Sequence, residues 1–413
     1  MTTPHLCRFC GTPLSHTFSD LGRTPLANAF LTQDALTRPE PTYPLHARVC
    51  SQCYLVQIEA VVTPEELFGD YLYYSSYSMS WLEHNRAFTE ESSRRFGLGK
   101  SSLVVEIASN DGYLLRFFKD LGIPVLGIEP ARNIAAEANE AGIPTEAEFF
   151  GVAFAENLRS RGLQPDLLVG NNVLAHVPDL NDFVAGLSIL LKPGGVLTME
   201  FPHLLNLMNG VQFDTIYHEH FSYFSLLAVN RVFNTHGLTI FDVARLPTHG
   251  GSLRIYAELY DDASSHEVTS RVAEVRRLED QARLGDITTY ERFSDTVETA
   301  KQLFRSFLDT ARGDGRTVAG YGAAAKGNTL LNTVSADTEL MSYVVDRNPH
   351  KQGLFLPGSH IPIYSPDRIF ETKPDYVVIL PWNIKDEVMS QMEAVRDWGG
   401  RFVVAIPKTR ILP

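Results

Sequence analysis

Three-to-six-residue apolar runs separated by polar, helix-length stretches dominate the chain from residue 103 onward. Residues 103–108, Leu-Val-Val-Glu-Ile-Ala, form one such run, and the turn Ser109-Asn110-Asp111-Gly112 follows it. A run apolar on both faces predicts a strand buried in a parallel sheet. The spacing then predicts a helix over 113–120 and a second strand over 124–129, ending in Glu129. Further strands are expected at 166–172 and 195–200, with a helix at 180–191 between them. Alternation of this kind describes an open α/β sheet, whose ligands sit at the carboxyl ends of the strands. Glu106, Asn110, Asp111, Gly112, Glu129 and Asn171 all fall at or near those ends.

The pattern then changes and returns. Residues 264–312 are charged and broadly helical, as a connector would be. Strand, turn and helix reappear over 316–327, and further strands are expected at 343–346, 376–380 and 401–405. This is a second Rossmann-like unit, although no shared sequence makes it a duplicate of the first. Its turn, Gly320-x-Gly322-x-x-Ala325 followed by Lys326, has the form of a phosphate-binding turn. Alone, that form is compatible with a dinucleotide, with the diphosphate of a sugar nucleotide, or with no ligand.

Composition narrows the choices. At 413 residues the chain has room for two or three domains. Its net charge of −13 repels phosphate backbones, which argues against DNA or RNA as a partner. No apolar run approaches the ~20 residues that span a bilayer. No secretory signal is visible either, so the expected location is the reducing cytoplasm. The oligomeric state stays open, with a monomer compatible.

All four cysteines lie near the start, as Cys7-x-x-Cys10 and Cys50-x-x-Cys53. Two such knuckles supply the four thiolates of a tetrahedral zinc site, and a site closed by four protein ligands is structural. The separation between the knuckles is longer than in a simple zinc ribbon, and His46 is an alternative ligand. A site of all four thiolates is the first expectation.

The turn after the first strand bears on the cofactor. Side-chain acceptors replace a glycine nest there, which suits the positive sulfonium and amino groups of S-adenosylmethionine better than a pyrophosphate. An acid about 20 residues on suits a ribose diol. Downstream, Tyr217-His218-Glu219-His220 sets ionisable groups among aromatics. The spacing is not that of a zinc protease, so a proton-transfer role is expected rather than a catalytic metal. His176 follows the 166–172 strand on the cofactor side. Tyr71, Tyr73, Tyr74 and Tyr77 form an aromatic run whose members the chemistry alone does not distinguish.

Taken in order, the two knuckles, Glu106-Ile-x-x-Asn110-Asp111-Gly112, Tyr217-x-Glu219-His220-Phe221, Leu246-Pro-x-His249-Gly250-Gly251 and Gly320-Tyr-Gly-Ala-x-Ala-Lys326 resemble the sugar 3-C-methyltransferases of antibiotic deoxysugar pathways. The resemblance covers nearly the whole chain. It implies a zinc-binding domain over 1–75, a class I S-adenosylmethionine methyltransferase domain over 76–260, and a helical connector with a Rossmann-like domain over 261–413. It also implies a nucleotide-linked keto-sugar as substrate, held in the cleft between the last two domains. His220 matches the base that takes the proton α to the ketone. Tyr217, Glu219 and His176 match residues lining the sugar pocket, and Tyr71 is the best match to a tyrosine that contributes from the zinc domain. Lys326, Gly322 and His249 are expected on the substrate side. Two other classes compete: an NAD-dependent oxidoreductase using the C-terminal unit, and a zinc scaffold without catalysis.

Overall fold

The computed structural model describes residues 5–63, 66, 67, 76, 79–260 and 266–412. The expected Tyr71, with Tyr73, Tyr74 and Tyr77, lies outside the described residues.

The N-terminal part is an antiparallel sheet built on β1 (His16–Thr24), β2 (Tyr43–Val49) and β3 (Val56–Gln57). Its apolar face does not form a core of its own. Phe18, Leu45 and Val49 join one continuous apolar cluster with Phe213 and with Phe293, Phe304 and Met341. The helix Ile287–Gly313 supplies much of that cluster, and Phe18 stacks on Phe293 with ring centroids 4.6 Å apart. The segment expected to be a connector is therefore a packed element of the core.

The middle part carries β4 (Val104–Ile107), β5 (Val125–Ile128), β6 (Thr145–Glu146), β7 (Leu167–Asn171) and β8 (Val196–Pro202). After a two-residue strand β9 (Ser222–Tyr223) come β10 (Leu238–Leu246) and β11 (Ser252–Leu259). The sheet runs β6-β5-β4-β7-β8-β11-β10 among the described residues, with β11 antiparallel to both neighbours and the rest parallel. The residues of β4 and β7 are buried throughout, which is why they read as unbroken apolar runs. The strand order reverses between β4 and β7, so their carboxyl ends open a crevice there. β9 belongs to the other sheet: it pairs with β3 and splices the middle part onto the N-terminal part.

The C-terminal part repeats the logic with β12 (Val318–Tyr321), β13 (Val344–Val345), β14 (Ile363–Tyr364), β15 (Tyr376–Ile379), β16 (Arg401–Val404) and β17 (Arg410–Leu412). Their order is β14-β13-β12-β15-β16-β17, parallel except for β17. Here the reversal lies between β12 and β15, which puts the Gly322 turn beside Pro381 and Trp382. No helix among the described residues is long and apolar enough to cross a membrane.

Candidate active site and zinc centre

The four cysteine sulfurs lie within 4.8 Å of one another. Cys7–Cys53, Cys10–Cys50 and Cys10–Cys53 are separated by 3.6, 3.5 and 3.8 Å. A tetrahedron with zinc–sulfur bonds of ~2.3 Å has edges of about 3.8 Å, so the sulfurs fit one zinc ion. The Gln57 amide donates to Cys7 Sγ (3.2 Å) and the Gln52 backbone N–H to Cys50 Sγ (3.4 Å), both of which favour thiolates. His46 is not in this group: its Nε2 bonds the Thr17 hydroxyl at 2.9 Å.

At the β4/β7 crevice, left-handed backbone at Ala108, Asn110 and Gly112 folds the turn tightly. Gly112 has φ +75°, and a Cβ there would meet Ile143 at 2.8 Å, so glycine is required. Glu129 is buried, and its two oxygens accept the Asn110 and Ala131 backbone N–H groups, each at 2.9 Å. Burial pushes its carboxyl above the ordinary range against those two donors. Glu106 is fully buried; neither oxygen accepts a well-aligned hydrogen bond from the described residues, and burial pushes it well above the usual range, with Tyr113 the main counterweight. Asp111 Oδ1 and Asn171 Oδ1 are likewise buried without a described donor. Orphaned acceptors concentrated at one crevice fit a ligand rich in donors and positive charge. S-adenosylmethionine, with its ammonium, sulfonium and ribose diol, is such a ligand.

The histidine-bearing segment crosses from this crevice to the C-terminal sheet. The Phe221 backbone N–H bonds the Ala175 carbonyl (2.7 Å), which brings His220 against His176, with ring centroids 4.7 Å apart. His220 Nδ1 lies 2.8 Å from the Thr215 carbonyl, and a carbonyl only accepts. The ring proton of the neutral histidine therefore sits on Nδ1, and Nε2 accepts the Tyr217 hydroxyl at 2.9 Å. Burial, then His176, holds His220 well below the ordinary histidine range. Burial likewise holds His176 at about 4. Both rings are neutral at physiological pH.

The remaining expected residues divide. Glu219 turns toward the N-terminal part, where the Asn28 amide donates to it at 2.6 Å. Burial lifts Glu219 to about 7, with Asn28 and then Lys351 opposing. His218 points elsewhere and meets the Pro44 carbonyl of β2 at 3.3 Å. His249, at φ 51°, meets the Asn172 amide at 3.2 Å and the Trp81 ring edge-on. Lys326 reaches the junction from the C-terminal sheet: its amine bonds Asn383 (2.6 Å) and lies 5.0 Å over Trp382. Burial lowers its pKa, and its charge is felt at both His220 and His249. Gly322 has a packing role, because a Cβ there would meet Pro381 at 2.5 Å. The next amide, Ala323 N–H, is engaged by Asp346 at 2.7 Å.

Sequence reasoning missed a buried network under the His249 loop. Arg254 (2.5 Å) and Thr248 (2.8 Å) donate to Glu200, and His84 Nε2 lies 3.0 Å from the same carboxylate. Burial alone would raise the Glu200 carboxyl, but His84 and then Arg254 outweigh it and hold it at about 2. Asp214, Trp382, Asn28 and Lys351 were missed too. Nothing local marks them, since each meets its partner across a long sequence separation.

Family models match three consecutive stretches: a zinc binding domain over residues 7–68, a methyltransferase domain over 81–243, and a C-methyltransferase C-terminal domain over 247–407. C-methyltransferase NovU of Streptomyces niveus is 37% identical over 406 residues, covering 98% of this chain and 96% of NovU. A ubiquinone biosynthesis O-methyltransferase of Methylobacterium sp. (strain 4-46) is 32% identical over 97 residues, 22% of this chain and 38% of that protein. Among solved structures, the CcbJ methyltransferase of Streptomyces caelestis aligns with a TM-score of 0.34 at 13% identity, over 42% of this chain and 89% of its own.

Proposed function

The chain belongs to the zinc-containing, S-adenosylmethionine-dependent C-methyltransferases of the NovU type, and on that premise we propose that it methylates the carbon α to the ketone of a nucleotide-linked keto-sugar. The observation that carries this reading is His220. It is a neutral imidazole whose tautomer leaves Nε2 as the acceptor. A base in that state takes a proton without first losing one.

Glu129, Glu106, Asn110, Asp111, Gly112 and Asn171 would hold the cofactor, which supplies an electrophilic methyl when bound. His220 Nε2 takes the proton from the α-carbon, and the ketone becomes an enolate. Nε2 has one lone pair, now engaged by the Tyr217 hydroxyl. As Nε2 accepts the substrate proton, that hydroxyl is released to donate to the enolate oxygen, where charge develops. Glu219, lifted to about 7, accepts from or donates to a sugar hydroxyl. His176 packs against His220 and keeps it from turning. Lys326 and His249 bound the substrate side, where the lysine charge meets the diphosphate. A thiolate zinc centre suits the reducing cytoplasm, where we place the reaction.

The test is a mass-spectrometric screen of keto-sugar nucleotides with S-adenosylmethionine. One acceptor gaining a single methyl on carbon is expected; methylation confined to oxygen would overturn the enolate route. A second test addresses the cofactor edge. Glu129→Ala leaves two backbone N–H groups unpaired and removes the ribose acceptor. Its S-adenosylmethionine Kd, measured by calorimetry, is expected to rise about 10- to 100-fold. Unchanged affinity would take Glu129 out of the cofactor site.

A further inference from the structure

The indole N–H of Trp382 donates to Asp214 Oδ2 at 2.7 Å, joining the C-terminal sheet to the turn Phe213–Thr215. Asp214 is fully buried, and burial raises its carboxyl to about 6, with Lys326 the largest opposing influence. A buried acid is costly unless something engages it. Here the indole N–H engages Oδ2, and the Lys326 charge acts on the acid through space. The residue after Asp214 is Thr215, whose carbonyl accepts the hydrogen bond from His220 Nδ1–H.

Trp382 is itself fixed from two further sides. Its ring lies so close to the 248–251 loop that a Cβ on Gly250 would meet it at 2.6 Å. Lys326 sits 5.0 Å over its face. The turn has other moorings: Phe213 is in the core, and the Gln212 amide donates to the Gly250 carbonyl at 2.9 Å. Phe213 ties the turn to the C-terminal sheet by apolar packing alone, whereas the Trp382–Asp214 bond is a directional polar link to the residue next to Thr215.

We propose that Asp214 and Trp382 are a positioning pair that fixes the His220 imidazole with its proton on Nδ1, so that docking of the C-terminal sheet arms the base. The proposal rests on the reading of His220 as the base. Neither residue touches the reacting atoms. The pair acts on the direction of one carbonyl, and that carbonyl selects the tautomer. Release of the turn frees the ring to carry its proton on Nε2, where it cannot accept one.

Full-length protein labelled with nitrogen-15 histidine tests this without a substrate. In the wild type the His220 nitrogens, assigned by their loss in His220→Asn, should show a protonated Nδ1 and an unprotonated Nε2. In Asp214→Ala and Trp382→Phe the two resonances should move toward each other as tautomers mix. Asp214→Asn retains an oxygen that accepts the indole N–H and should keep the wild-type pattern. Calorimetric S-adenosylmethionine affinity should stay within about threefold in each, which reports an intact middle sheet. With an acceptor from the screen, kcat of the Ala and Phe variants should fall roughly 10²-fold with little change in KM. Wild-type nitrogen shifts in both variants, or an Asn variant that behaves like the Ala variant, would overturn the pair. A His220→Asn protein that still methylates would instead remove the base reading and leave the nitrogen result standing.

Discussion

Cys53→Ser is expected to abolish methyl transfer, although the zinc centre performs no chemistry. The reason is a short mechanical path. The second knuckle leads directly into β3, and β3 pairs with β9, two residues beyond His220. Ile58 N–H bonds the Phe221 carbonyl at 3.1 Å, and Gln57 reaches back to Cys7 while accepting the Arg8 backbone N–H at 2.9 Å. The Arg8 guanidinium donates to Pro178 at 2.9 Å and lies 5.4 Å over the Phe221 ring. The metal thus tethers the strand on which the His220 segment hangs. Zinc–thiolate centres contribute on the order of 10 kcal/mol of binding free energy, comparable to the ~5–15 kcal/mol net stability of a whole domain. Loss of one ligand should release the ion, lower Tm by at least about 10 °C and eliminate turnover. Elemental analysis, thermal unfolding and the methylation assay measure the three effects. A metal-free variant that melts and turns over like the wild type would show that the knuckles do not anchor the site.

Legibility in the sequence followed the range of the interaction. Val104–Ile107 and Leu167–Asn171 announced themselves because both faces of a central parallel strand are buried, and that demands a contiguous apolar run. The zinc ligands were visible because knuckle geometry needs fixed local spacing. The paired β3 and β9 were not, since two-residue strands have no periodicity to detect. The helix Ile287–Gly313 read as a charged connector because its outer face is polar; its buried residues, among them Phe293, Phe304 and Leu308, follow helical spacing but gave no clue to their partner. In the candidate site, Tyr217 and His220 were readable as one cluster because they are near neighbours in sequence. The Glu200–Arg254–His84 network and the Asp214–Trp382 bond were invisible, since each joins elements 54 to 168 residues apart. Gly322 was readable as a turn glycine, but packing against Pro381 and a phosphate cradle leave the same mark on a sequence.

The second large effect concerns His220 itself. His220→Asn preserves a side-chain N–H able to reach the Thr215 carbonyl and fills similar space, so the segment should keep its path between Ala175 and Thr215. It removes the lone pair at Nε2, the atom that the Tyr217 hydroxyl engages. General-base catalysis contributes roughly 10²–10⁴-fold, and a proton on carbon offers no easier route through water in a buried site. Turnover should therefore fall by at least about 10³-fold while calorimetric cofactor affinity stays within about twofold. The pH profile carries independent information. A base must be unprotonated, and burial has displaced the His220 pKa well below 6.5. Activity that depends on the neutral ring should persist as pH falls past the ordinary histidine range and be lost only when the displaced pKa is crossed. The same sign holds for stability. Below about 6.5 the unfolded chain binds protons that folded His220 and His176 refuse, so their contribution is present above that pH and declines as pH falls toward the folded values, about 4 for His176. An acid limb of kcat/KM centred at 6.5 would mean that the base is solvated, and a buried, carbonyl-oriented His220 could not then be the group that takes the proton.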